Sequence, residues 1–265
     1  MDIKRVRLFV NHNEKSRKIA KIVREKLEKE GFLLVEGSFD LGIAIGGDGS
    51  FLRMVKESNF DSTSLYVGIN AGTLGFAQEV DVEEIDSFIT LLKNDHLNYE
   101  QIGVQEVTIY TRDSISRCCS LNEIAVRDKE LNTTKLDIYV EGALLERYAG
   151  DGVLVATSFG STAYNLSFGG SIVYNTFHTL QITPIAPLNN KSYHNLLNSI
   201  IIPDNKMICL VPKKDYQDLI ITIDGDNLVY EGVLKIETVI QDRVIRIIRM
   251  DGYNFIKKIN DKFIK

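Results

Sequence analysis

The sequence predicts a Rossmann-like parallel α/β domain followed by a β-rich, sandwich-like domain, and three observations carry that reading. Strand-length apolar segments alternate with helical-period segments up to about residue 100. Glycine-rich turns follow two of those strands, and from about Tyr99 the helical period gives way to strand-like patterning. At 265 residues, 44% hydrophobic and 25% charged, the chain is long enough to bury two modest cores.

Taken in order, residues 6–10 form an apolar strand, and Ile19, Ile22, Val23 and Leu27 recur at helical spacing before Gly31 closes the helix. Residues 32–35 and 41–45 read as strands, 50–57 as a short helix, and 65–69 as a strand ending at Asn70-Ala71-Gly72. Asp81 and Glu84 have capping-box spacing ahead of Ile85, Phe88, Leu91 and Leu92, which predicts an amphipathic helix. The first domain is expected over residues 1–100 and the second over 101–249. In the second, residues 104–111, 135–140, 144–148, 153–156, 207–211, 219–223, 232–239 and 243–248 read as strands. Glu141-Gly142 fits a hairpin turn, a short helix is expected after Gly160, and residues 253–265 read as a terminal helix.

The formal net charge of −5 argues against a general nucleic-acid surface, which needs excess Lys and Arg to neutralise phosphates. The chain has no apolar run of the roughly 18 residues needed to cross a bilayer. Asp2, Lys4, Arg5 and Arg7 break any signal-peptide core, so a cytoplasmic protein with no membrane partner is expected. Cys118, Cys119 and Cys209 suggest neither a disulfide framework nor a zinc site. His12, His96, His178 and His194 have no partner four residues away for a helical metal site.

The chemistry is concentrated in glycine turns. Residues 41–52 run from an apolar strand through Gly46-Gly47-Asp48-Gly49 into a helix start. Glycines let backbone N–H groups approach phosphate oxygens, and a helix amino terminus favours negative charge, so a polyphosphate can dock there. Asp48 is the oddity, because a carboxylate repels phosphate unless it accepts a proton or helps hold magnesium. On the pattern alone, a turn residue or helix cap is an equally open reading. The loop is neither a Walker A motif nor a dinucleotide fingerprint, since Leu52 stands where the last glycine of Gly-x-Gly-x-x-Gly belongs.

A second turn, residues 68–76, follows another strand and is expected on the same carboxyl edge of the sheet. It reads equally as a tight connection with Phe76 in the core. Asn122-Glu123 offers an amide and a carboxylate for a base edge and a ribose hydroxyl, and equally reads as solvated loop. Gly150-Asp151-Gly152 feeds a strand, and residues 160–170 concentrate small and hydroxyl side chains at a strand-to-helix turn, leaving a ligand room and donors. Asn165 replaces the leading glycine that a serine-hydrolase elbow at Ser167 would need.

Together and in this order, Gly46-Gly47-Asp48-Gly49 with residues 50–53, the 68–76 loop, Asn122-Glu123, Asp151-Gly152, the 160–170 block and Asp224-Gly225 resemble the NAD kinase family. The first motif also occurs in phosphofructokinases and in diacylglycerol and sphingosine lipid kinases; the 160–170 block points to NAD. The resemblance implies transfer of the ATP γ-phosphoryl group to the adenosine ribose 2′-hydroxyl of NAD, giving NADP, with magnesium accompanying ATP. It implies Asp48 as general base, Gly46, Gly47 and Gly49 as the phosphate loop, and Arg53 as added positive charge. Phe76, Asn122, Thr162, Ala163, Tyr164 and Ser167 would frame the adenosine, with Glu123 near its ribose, and Ser158 and Asp224 are further substrate-binding positions. Asp151 and Ala186 would meet the nicotinamide end.

The resemblance also implies two domains facing across a substrate cleft, with residues 250–265 packing back on the first. A homodimer or homotetramer is implied too, in which Tyr193 and Asp224 mark where a neighbouring subunit completes the nicotinamide site. One departure stands out. Thr157-Ser158-Phe159-Gly160 replaces the usual Thr-Pro-Thr-Gly or Thr-Pro-Ser-Gly, and Ala149 stands where some relatives have Arg.

Overall fold

The computed structural model describes residues 3–72, 75–93, 97–214 and 216–264; Thr73 and Leu74 of the second glycine turn, and His96, lie outside the described residues. By chain contacts it divides into two compact units, Met1–Ile102 with Val244–Lys265, and Gly103–Arg243.

The first unit is a parallel sheet with helical connections. Its elements are β1 (Arg5–Val10), α1 (Glu14–Lys29), β2 (Leu33–Leu34), β3 (Leu41–Gly46), α2 (Asp48–Glu57), β4 (Leu65–Asn70) and α3 (Ile85–Leu92). The strands lie in the order β2-β1-β3-β4, every pair parallel. β3 and β4 are buried almost throughout, as a sheet covered on both faces requires. α1 begins where the Asn13 side chain accepts the Ser16 amide at 2.8 Å, and it buries Ile19, Val23 and Leu27. Ile22, expected on that stripe, is 43% exposed, one step round the helix from the buried row. The capping box at Asp81 and Glu84 forms on a 3-10 turn that leads into α3.

The second unit is antiparallel and β-rich. Its strands are β5 (Tyr99–Thr111), which starts in the first unit, β6 (Ile115–Ser120), β7 (Glu123–Asp128), β8 (Thr134–Val140), β9 (Ala143–Gly150) and β10 (Gly152–Thr157). The four-residue helix α4 (Tyr164–Ser167) precedes β11 (Thr179–Ile185), β12 (Ile200–Pro203), β13 (Ile208–Pro212), β14 (Gln217–Ile223) and β15 (Asp226–Ile248). The run β12-β11-β10-β7-β14-β15 is hydrogen-bonded in that order. Its core gathers Ile124, Val126, Val153, Val155, Ile182 and Ile221 among others. The β8–β9 turn, Glu141-Gly142, has positive φ at both residues, as a two-residue hairpin with the sheet's own twist demands.

Two strand expectations need correction. Residues 232–239 and 243–248 belong to one continuous strand, β15, because Gln241 and Asp242 are both exposed there and the polar pair does not break it. Gly232, at φ 63°, sits where the β14 pairing shifts register, so the bulge takes up the irregularity without ending the strand. β7, β11 and β12 were not expected: β11 carries Gln181, Thr183 and Pro184 through a buried position, a composition that does not read as a core strand.

The last residues of β15 return to the first unit, where Arg246 and Ile247 pair in parallel with Leu65 and Tyr66. Arg249 is buried and donates to Glu79 at 2.9 Å and to Glu100, and its guanidinium stacks 4.1 Å from the Tyr253 ring. The chain then forms α5 (Phe255–Phe263), capped by the Asn254 side chain on the Lys257 amide at 3.0 Å. Phe255 is buried, and its ring lies 6.1 Å from that of Phe76. Among the described residues no helix is long and apolar enough to cross a membrane.

Candidate active site

In the first unit, β3 delivers Gly46 to the carboxyl edge of the sheet, and α2 starts at Asp48 with Gly47 as its cap. Gly46 is required by packing, since a Cβ there would collide with the Ser50 hydroxyl. Gly47 and Gly49 are not: a Cβ on either would meet no atom within 4 Å. Their backbone is therefore approachable at a helix amino terminus, the arrangement that receives anions.

Asp48 is not a free cap. Its carboxylate accepts the Phe76 amide at 3.1 Å and the Ala77 amide at 2.9 Å, and the Lys262 ammonium of α5 lies 3.3 Å away. Gly75 permits this approach, because a Cβ there would collide with the Asp48 carboxyl group. The Asp48 side chain thus joins the first glycine loop to the second, beside the Ala71 amide, which donates to the Gly46 carbonyl at 3.1 Å. Phe76 is buried, 5.4 Å from Phe263 and 6.1 Å from Phe255. Arg53 donates to the Val10 carbonyl at 2.8 Å, with its Nε 3.8 Å from Glu57.

In the second unit, Asn122 and Glu123 sit where β6 turns into β7. Asp224 holds that turn: its carboxylate accepts the Ser120 hydroxyl and the Leu121 and Asn122 amides, each at 2.7 Å, and the Glu123 amide at 3.2 Å. Asp224 and Gly225 both have positive φ in the tight β14–β15 turn, which aims the carboxylate back at these donors. The resemblance marks Asp224 as a position where a neighbouring subunit completes the nicotinamide site; here its oxygens accept four donors of its own chain. Thr157 fastens the neighbouring turn by donating to the Leu121 carbonyl at 2.6 Å, and a Cβ on Gly160 would overlap the Asn122 carbonyl. The 157–160 and 121–123 segments are therefore in direct contact.

Glu123 is 5% exposed, and its Oε2 has no hydrogen-bond partner. Burial first, then the neighbouring Asp224 charge, pushes its carboxyl up to about 8, against the pull of the Tyr164 amide. Burial also raises Asp224, against the pull of its four donors. Tyr164 accepts a hydrogen bond from Arg127 at 2.6 Å and packs edge-on to Phe168 at 4.9 Å. Thr162 and Ala163 are half-buried beside it, and Ser167 is exposed at the end of α4.

A buried polar network that the sequence reading missed supports this block. Asn165 accepts the Thr183 hydroxyl at 2.6 Å and donates to the Ser161 carbonyl at 3.3 Å, while Gln181 exchanges hydrogen bonds with the Ser171 backbone. Ser158 donates to the Phe177 carbonyl and Phe159 is buried, so the departure from the usual Pro-containing motif is built into the interior. Asp151 and Ala186 are both exposed and adjacent, tied by the Asp151 amide on the Ile185 carbonyl at 2.9 Å. Ala149 is buried and exchanges hydrogen bonds with the Asn195 side chain.

A carboxylate fixed by amides beside a clear glycine loop, at the carboxyl edge of a parallel sheet, defines the class: an enzyme that transfers phosphoryl groups, a kinase. Residues 6–97 match the family model of the ATP-NAD kinase N-terminal domain, and residues 121–251 that of the ATP-NAD kinase C-terminal domain. The NAD kinase of Finegoldia magna is 37% identical, with 98% of this chain and 97% of that protein covered. That of Streptococcus agalactiae serotype Ia is 35% identical, over 98% and 95%. The chain belongs to the ATP-NAD kinase family.

Two solved structures share the fold. Yeast NADH kinase, complexed with NADH, matches with a TM-score of 0.86 at 20% identity, covering 98% of this chain and 87% of that one. An NAD kinase from Archaeoglobus fulgidus, in complex with ATP, matches with a TM-score of 0.74 at 21% identity, covering 97% and 98%.

Two outcomes follow from the glycine and carboxyl geometry. Gly47→Ala should keep its melting temperature and lose kinase activity, whereas Gly160→Ala should lower stability by roughly 1–3 kcal/mol in urea titration. Glu123, raised above its ordinary value, contributes stability fully present at low pH and lost as pH rises between about 4.5 and about 8. Melting curves across that window should show the decline in the native protein and a flatter profile in Glu123→Gln.

Proposed function

We propose that this enzyme transfers the γ-phosphoryl group of ATP to the 2′-hydroxyl of the adenosine ribose of NAD, giving NADP and ADP. The observation that carries the reading is the Asp48 carboxylate, held by two backbone amides next to glycines whose Cβ positions are open. Family membership supports NAD and ATP as the substrates.

In this mechanism Asp48 accepts the proton of the 2′-hydroxyl as its oxygen bonds to the γ-phosphorus. The bond from that phosphorus to the β,γ-bridging oxygen breaks, and ADP carries away the electron pair. Gly46, Gly47 and Gly49 receive phosphate oxygens on backbone N–H groups, helped by the amino terminus of α2. Arg53 adds positive charge near this edge. Asn122, Thr162, Ala163, Tyr164, Ser167 and Phe76 frame the adenosine, while protonated Glu123 can donate to the ribose through its unpartnered Oε2. Asp151 and Ala186 meet the nicotinamide end. Ser158 and Asp224 act by shaping the turns that present these groups.

Magnesium, carried on the ATP phosphates, supplies charge neutralisation. Among the described residues no group of three or more His, Cys, Asp or Glu side chains is placed to hold a metal. A cytoplasmic location and assembly into a homodimer or homotetramer belong to the same reading, on family likeness.

The test is direct. Purified protein supplied with ATP, magnesium and NAD should form NADP and ADP in equal amounts, read with a dehydrogenase that accepts only NADP. Folded protein that leaves NAD untouched while phosphorylating a lipid or sugar would overturn the proposal.

A further inference from the structure

The terminal helix brings a cation to Asp48, a side chain that joins the two glycine loops. Lys262 is separated from Asp48 by 214 positions in sequence, yet its Nζ lies 3.3 Å from Asp48 Oδ2. Its ammonium also sits 4.8 Å from the centre of the Phe76 ring, and α5 is fastened under that ring by Phe255 and Phe263. The placement is therefore held from several sides.

The neighbouring cations have other commitments. Lys258 donates to the Gln78 carbonyl and lies 3.5 Å from Glu79, and Arg53 is bound to the Val10 carbonyl. Lys262 is different: its side chain is 27% exposed and Asp48 is the carboxylate it meets. A polyphosphate arriving at Gly47 and Gly49 would bring several negative charges close to Asp48, which repels them. An ammonium on a flexible stem within reach of both can pass from the carboxylate to the phosphate oxygens.

We propose that Lys262 is a positioning residue for ATP: it pairs with Asp48 in the empty enzyme and moves to the phosphate oxygens when ATP binds. The move offsets the repulsion between Asp48 and ATP and leaves the carboxylate free to accept the proton. The inference rests on the phosphoryl transfer proposed above.

Lys262→Met keeps the apolar stem over Phe76 and removes the charge; Lys262→Arg restores a charge. The native protein and both variants are compared by calorimetric titration with magnesium-ATP, by initial rates at varied ATP and varied NAD, and by melting temperature. Lys262→Met should weaken ATP binding and raise the KM for ATP about tenfold, the scale of one lost charge-assisted contact. The KM for NAD should stay within about twofold, and Lys262→Arg should recover most of the loss. Native-like ATP binding by Lys262→Met, or equal weakening for ATP and NAD, or no recovery with Lys262→Arg, overturns the assignment. A native protein that binds ATP but forms no NADP contradicts the phosphoryl-transfer reading instead, so the two failures are separable.

Discussion

The acceptance of the Phe76 and Ala77 amides by the Asp48 carboxylate is the constraint on which the first unit's site depends. It fixes the first residue of α2 against the connection that follows β4, so two loops from adjacent parallel strands share one anchor. Gly75 is needed there because any side chain would occupy the carboxylate's place. The same segment is tied to the end of the chain, since Glu79 receives Arg249 and the Met250 amide, both at 2.9 Å. Burying those charges is tolerable only because each carboxylate meets a cation and further donors. The interactions that hold α5 in place thus also hold the second glycine loop.

The second unit relies on an analogous device. Asp224 supplies a buried carboxylate to four donors and fixes the 120–123 turn, while Thr157 and Gly160 bring the following turn against it. The cost falls on Glu123, whose carboxyl is left buried beside a negative neighbour and keeps its proton well above the ordinary range. Its Oε2 is left buried without a hydrogen-bond partner.

Much of the fold was legible because its signals are local. Buried strands β3 and β4 read as apolar runs ending in glycine, α1 and α3 announced themselves by period and caps, and Glu141-Gly142 marked its hairpin. β11 was not legible, because Gln181 and Thr183 become acceptable in a core only through Asn165 and Ser171, partners that the sequence does not place. At the site, Gly46-Gly47-Asp48-Gly49 could be found from spacing, but not what holds Asp48. The amides of Phe76 and Ala77 carry no side-chain signature, and Lys262 looks like any lysine on an amphipathic helix. Asp224 was legible only through the resemblance, and the four donors that its oxygens accept come from a turn about a hundred residues earlier, which no local pattern links to it.

Asp48, fixed in this way, is the group proposed to accept a proton during the transfer. The most direct measurement is the turnover of Asp48→Asn, with NAD and ATP binding measured on the same folded sample. The expected result is a fall in kcat of about 10²–10⁴-fold, with both affinities within a few-fold of native. Turnover near the native rate in a variant that binds both nucleotides would contradict it.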